Sequence, residues 1–216
     1  MLIEIARLEL ERGNLEKAAE LLKELVRKNP RNPHVLCLMG ECLNSLRRTR
    51  EAEGYFVRAC KLAPNDGIVL NNFAVFLDKN KRPIEARHYF ERACQAAPEN
   101  AVVRHNFGGF LSSNGPQEEV EHHFREAVKI EPDNPEFQNS LGNWLRFLRR
   151  REEALPHLLK AAELDQGHAK RICNVGNCLS ELKRYAEAKP YFEKALELEP
   201  SNQEFRDNLK WILKKC

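Results

Sequence analysis

Asn72, Asn106, Asn174 and Asn208, with Ser140 in the remaining slot, place a short polar side chain every 34 residues along the chain. Asn71, His105 and Asn139 stand one residue before members of this column, and Asn143 and Asn177 three residues after. A carboxamide carries two N–H donors and an acceptor, so it can bond both the C=O and the N–H of a passing main chain. Such a column is chemistry for holding an extended peptide, not for breaking bonds. Other constellations fail. The pair His122-His123, with His88 and His157, invites a metal, but adjacent helical residues point about 100° apart. No Cys or carboxylate set completes a four-ligand shell, so solvated histidines and no metal are expected. Seven cysteines without a C-x-x-C pair fit neither a disulfide framework nor a zinc signature. They read as reduced thiols of a cytoplasmic protein, with Cys60 and Cys94 as small core residues and Cys216 exposed and oxidisable. No phosphate loop, H-E-x-x-H or nucleophile elbow occurs. The expectation is a protein that is not an enzyme and carries no cofactor.

The elements that must carry the amides follow from the same period. Pro30, Pro64, Pro98, Pro132 and Pro200 share it, with Gln166 in the vacant slot. Ala18, Ala52, Ala86, Val120, Ala154 and Ala188 lie twelve residues upstream of these, and Leu22, Phe56, Phe90, Phe124, Leu158 and Phe192 lie eight upstream. Ala6, Gly40, Ala74, Gly108, Gly142 and Gly176 lie twenty-four upstream. Within one unit, Leu36, Met39, Leu43 and Leu46 recur at three- and four-residue steps, the face of one helix. After a polar hinge, Ala52, Phe56, Ala59 and Leu62 mark a second. The proline then ends the unit, because it lacks an N–H and blocks further helix. An Ala or Gly on each helix lets the two backbones approach to roughly 8 Å.

Composition agrees with a packed, water-facing chain. Of 216 residues, 42% are hydrophobic and 31% charged, and no run of about eighteen apolar residues could span a bilayer. The start, MLIEIARLELERGNL, alternates apolar and charged residues, unlike a secretory leader. A net charge of +3 does not argue for nucleic acid or an anionic membrane as partner.

Two short helices in 34 residues, small residues at three fixed slots and a closing proline resemble the tetratricopeptide repeat (TPR). With the proline as position 32, the repeats are 1–32, 33–66, 67–100, 101–134, 135–168 and 169–202, followed by a capping helix at 203–216. Gln166, Val120 and an aliphatic position 11 depart from the family pattern. The resemblance implies an all-α, right-handed superhelical solenoid in which each pair packs on its neighbours. Lys210 replaces the small residue in the last helix and marks a polar cap. Leu2, Ile3 and Ile5 lie uncovered at the other end: either more chain precedes them or that end meets a partner, self-association included.

In this family the first helix of each pair lines the concave surface, with positions 2, 5, 6, 9, 12 and 13 facing inward. The peptide-binding residues so implied are Asn71, Asn72, His105, Asn106, Asn139, Asn143, Arg146, Lys170, Asn174 and Asn177. The column resembles the asparagine ladder of O-GlcNAc transferase repeats, and it implies a protein or peptide partner rather than a small-molecule substrate. Phe147 and Trp211 are candidate aromatic anchors. The carboxylate clamp of chaperone-binding repeats is not expected, since Glu204 and Asn208 stand where two cations are needed. A basic edge at the turns inside the pairs (Arg47, Arg48, Lys81, Arg82, Arg149, Arg150, Arg151) offers an alternative, attachment to nucleic acid or anionic membrane. Nearby glutamates dilute it, and cations closing one helix with anions opening the next complement both helix dipoles. A narrower resemblance, GNLEKA at 13–18 and GIVLNNFAVFL at 67–77, is to the type IV pilus pilotins, which assist secretin assembly.

Overall fold

The computed structural model describes residues 2–215; Cys216 lies outside the described residues. These form thirteen α-helices and no strand. Two compact units are present, one ending at Gly115 and the next beginning at Pro116. The first holds α1 (Leu2–Glu11), α2 (Leu15–Lys28), α3 (Pro33–Ser45), α4 (Thr49–Leu62), α5 (Gly67–Lys79), α6 (Pro83–Ala96) and α7 (Ala101–Asn114). The second holds α8 (Gln117–Ile130), α9 (Pro135–Phe147), α10 (Arg151–Leu164), α11 (Ala169–Glu181), α12 (Tyr185–Leu198) and α13 (Gln203–Leu213). In each unit helices pack on their chain neighbours, and the odd-numbered ones also touch in succession: α1, α3, α5 and α7 in the first, α9 and α11 in the second. This is the all-α repeat solenoid class expected from the period.

The small residues act where the period puts them. A Cβ on Gly40 would stand 2.7 Å from the Phe56 ring, one on Gly142 2.7 Å from Leu158, and one on Gly176 2.9 Å from Phe192. Ala52, Ala86, Ala154 and Ala188 are fully buried on the facing helices. The bulky column Phe76, Phe110 and Trp144 is buried as well. Where cysteine takes its place the thiol finds a carbonyl of the preceding pair: Cys42 Sγ donates to Leu15 O at 3.3 Å, and Cys178 Sγ to Arg151 O at 3.4 Å.

Capping explains where the first helices begin. Asn32, Asp66 and Asn134 each accept hydrogen bonds from two main-chain N–H groups of the following turn, and Asn100 and Asn202 from one. These residues share the 34-residue period, a P-x-(N/D) signature two residues after the repeat proline. His168 occupies the remaining slot and makes no side-chain cap. Replacing His168 with Asn is expected to raise stability by about 1 kcal/mol, read as a higher urea midpoint at unchanged slope.

The turns inside the pairs are equally regular. Arg47, Lys81, Arg149 and Lys183 have φ of 62–63°, and Gly13 has 77°. The left-handed conformation costs an L-residue energy. It is held by a bond from the next N–H back to the last turn of the helix: Arg48 N to Leu43 O at 2.8 Å, Arg82 N to Leu77 O, Arg150 N to Leu145 O and Arg184 N to Leu179 O. After α7 the donor would be Pro116, which has no N–H, and Gly115 is instead extended at φ −142°.

Candidate functional site

The amide column stands on the odd-numbered helices and is tied together across neighbours. In the first unit Asn106 on α7 donates through Nδ2 to Asn71 Oδ1 on α5 at 3.1 Å, and Asn71 Nδ2 donates to Asn72 Oδ1 at 3.3 Å. In the second, Asn174 on α11 donates to Asn139 Oδ1 on α9 at 2.9 Å. Asn208 on α13 reaches the Cys173 sulfur at 3.5 Å and Asn177 Oδ1 at 3.4 Å. Asn72 stands beside the Cys37 thiol and favours its ionisation, but burial outweighs this and pushes Cys37 up to about 12. Each rung thus joins repeat position 5 to position 6 of the next repeat, 35 residues on. The acceptor is an amide oxygen at Asn71 and Asn139 and a sulfur at Cys173.

This pairing sorts the residues. Asn71 and Asn174 are buried, 3% and 6% exposed, where an open lining had been expected. The reason is the close stacking of successive odd helices, which encloses position 5 or 6 and spends part of its hydrogen-bonding capacity on the neighbour. Asn72, Asn106, Asn139, Asn143, Asn177 and His105 remain half-exposed. Arg146 is occupied, its guanidinium 3.3 Å from both Asn143 Oδ1 and Glu181. Lys170 pairs with Glu204 at 2.6 Å. Phe147 is 65% exposed and stacks on Trp144 at 5.1 Å, and Trp211 leans edge-on against Tyr185. Lys210 is exposed beside Asp207.

The basic edge is largely neutralised. Arg48 binds Glu51, Arg82 binds Glu85 and Glu53, and Arg150 binds Glu153 and Glu121, at 2.5–2.8 Å. Arg151 binds Glu181 at 2.9 Å. The hydrogen bond from each arginine holds the Glu51, Glu85 and Glu153 carboxyls below the usual range. These arginines occupy the N-cap position of the second helices, and each glutamate closes the first turn. Arg47, Lys81 and Arg149 are exposed and make no ion pair among the described residues. They are the turn residues with positive φ.

Of the histidines, His123 is buried rather than solvated, because it falls on the face of α8 that also buries Phe124 and Ala127. His157 bonds Gln138 Oε1 through Nδ1 at 2.7 Å, and burial lowers its pKa. His88 and His122 are exposed. No group of three metal-ligating side chains stands together among the described residues, and none of the described helices is long and apolar enough to cross a membrane.

Sequence reasoning missed two features. Arg171, nearly buried, binds Asp165 and Glu136 (the latter at 2.6 Å) and so ties α11 to α9. A cavity of about 180 Å³ lies among Glu41, Asn44, Phe56, Asn72, Val75, Phe76, Lys79 and Asn106 in the first unit. Its lining comes from four helices, so no local pattern announces it.

Comparison with known proteins identifies the repeat. Family models described as the tetratricopeptide repeat match residues 3–67 and 169–202. No curated protein sequence matches significantly. Among solved structures, YrrB, a TPR protein with an unusual peptide-binding site, is 20% identical with a TM-score of 0.66, over 89% of this chain and 99% of that one. PilF of Pseudomonas aeruginosa is 19% identical with a TM-score of 0.76, over 95% and 94%. PilW, a widely conserved type IV pilus biogenesis factor, is 17% identical with a TM-score of 0.78, over 97% and 96%. At these identities the likeness is one of fold. With helix pairs at a 34-residue period and small residues at their crossings, the two matched stretches, 3–67 and 169–202, are tetratricopeptide repeats, and the fold of the chain is similar to that of solved TPR proteins.

Proposed function

We propose that this protein is a non-catalytic scaffold that holds a peptide segment of a protein partner along the odd-numbered helices of its repeats. The six repeats and terminal helix bounded above are the organisation this reading assumes. One observation carries it: half-exposed amides stand on successive odd-numbered helices within each unit, and Asn106, Asn139 and Asn177 are each joined to the neighbouring helix by a hydrogen bond, so that part of their hydrogen-bonding capacity stays available. Successive first helices about 10 Å apart match three residues of extended chain at roughly 3.3 Å each. In the first unit Asn72 and Asn106 would contact the segment, with Asn71 holding both; in the second Asn139, Asn143 and Asn177 would contact it, with Asn174 holding Asn139. The likeness to YrrB supports a peptide as the kind of ligand.

Asn72→Ala combined with Asn106→Ala is expected to lower capture of partner proteins from source lysate at least fivefold, measured by quantitative mass spectrometry. Helical circular dichroism should persist, because each lost rung is worth only about 1 kcal/mol. Unchanged capture by a folded double variant would remove the groove from consideration. Arg149→Glu with Arg150→Glu serves as the opposing control. On the basic-edge reading it abolishes binding in a salt-dependent way, and on the scaffold reading it does not. The near full-length likeness to PilF and PilW favours a second reading, an assembly factor of pilotin type. Recovery of a secretin subunit as the captured partner would select it.

A further inference from the structure

We propose that the cavity between α3, α5 and α7 takes one aromatic side chain, of phenylalanine size, from the extended segment of the protein partner. The inference rests on the scaffold reading and deepens it by naming what the segment must carry.

Size comes first. The space is about 180 Å³, and an apolar cavity of about 150 Å³ is known to take up benzene. One aromatic ring fits; two do not. The walls suit a ring. Phe56 and Phe76 lie with centroids 4.8 Å apart and tilted by 36°, and Phe73 stands 5.9 Å from Phe56 and 6.0 Å from Phe76. A ring entering beside Val75 would extend this cluster at the separations that aromatic pairs prefer. The rim suits a main chain. Asn106 gives its Nδ2 to Asn71, and Asn72 Oδ1 accepts from Asn71. Asn106 Oδ1 and the second N–H of Asn72 Nδ2, whose first faces Cys37, therefore provide one acceptor and one donor at the rim. Glu41 on α3 and Lys79 on α5 complete the rim, and neither makes an ion pair among the described residues. They complement a basic and an acidic residue flanking the ring.

The second unit provides an internal control. Three repeats further on, Phe56 and Phe76 become Leu158 and Cys178, and Lys79 becomes Glu181. There Arg146, the counterpart of Asn44, bonds both Asn143 and Glu181. The same fold thus has an ion pair and a smaller floor where the first unit has a ring-sized hollow. The hollow is therefore not repeated at the corresponding place in the second unit.

The test uses the full chain. N-acetyl-phenylalanine methylamide, titrated to millimolar concentration, is expected to shift the NMR signals of the Val75 methyls and of the Phe56 and Phe76 rings, whereas N-acetyl-alanine methylamide is not. Equal shifts from the two probes, or none at these residues, overturn the pocket. Selection from a random decapeptide library is expected to enrich sequences with an aromatic residue at one fixed position. Replacing that ring by alanine should weaken binding about ten- to thirtyfold. Val75→Trp, shown by circular dichroism to remain helical, fills the hollow and should erase the aromatic preference; retention of the preference overturns the proposal. Should that variant unfold, the wild-type probe titration decides alone. Peptides enriched without an aromatic position would sink the pocket and leave the scaffold standing. No enrichment at all would sink both.

Discussion

Phe90→Ala is expected to destabilise the first unit by about 3–5 kcal/mol, the largest effect of any single truncation proposed for this protein. Phe90 on α6 is 1% exposed. Its ring lies 5.4 Å from Phe107 and 5.2 Å from Phe110, both on α7, so one side chain closes the seam between two successive repeats. Removal leaves a ring-sized void among stiff neighbours that cannot all move inward, and the transfer and cavity costs add. In a repeat array each unit depends on its neighbour's interface. The loss should therefore appear as a lower urea midpoint monitored by circular dichroism. A cost below about 1 kcal/mol would mean that α6 and α7 close over the gap, which the aromatic packing speaks against.

The second large effect comes from adding an atom rather than removing a ring. Gly142→Ala is expected to cost about 1–3 kcal/mol through overpacking. The new Cβ would meet Leu158 Cγ and Cδ2 at 2.7 Å and the Ala154 main-chain oxygen at 3.3 Å. Leu158 is fully buried and has nowhere to turn, and the carbonyl belongs to the helix backbone. Gly54 supplies the contrast. It lies inside α4 with open space around the Cβ site, and Gly54→Ala should gain about 0.5–1 kcal/mol from helix propensity alone. Opposite signs for the same substitution, measured in one denaturation series, would establish that the glycines at the helix crossings are there for clearance. The same sign for both would not.

Much of this fold was legible in the chain because its signals are local. The proline and small-residue columns are visible by counting, and helices follow from three- and four-residue steps that operate within one turn. The helix starts are carried by an equally local signal, the cap residues Asn32, Asp66, Asn100, Asn134 and Asn202 two residues after each repeat proline. His123 shows the limit of such reading. Beside an exposed His122 and among charged neighbours it reads as solvated, and only the packed face of α8 reveals it as buried. The basic edge shows another. Counting cations finds Arg48, Arg82 and Arg150, but the glutamates three residues on and across the seam cancel them, and the unpaired charges are those on the left-handed turn residues.

The amides mark the boundary most clearly. Residue type and period, which depend on covalent order and short-range hydrogen bonding, determined by themselves that this protein is a stack of helix pairs with an amide in register on successive first helices. Tertiary structure alone decided that Asn71 is enclosed while Asn72 beside it stays half open. It likewise decided that Glu41 and Lys79, 38 positions apart in sequence, share the mouth of one hollow. Neighbouring residues on a helix differ by about 100° in direction, so which of them meets the next helix depends on how closely the helices stack, and that distance is set by side chains a whole repeat away.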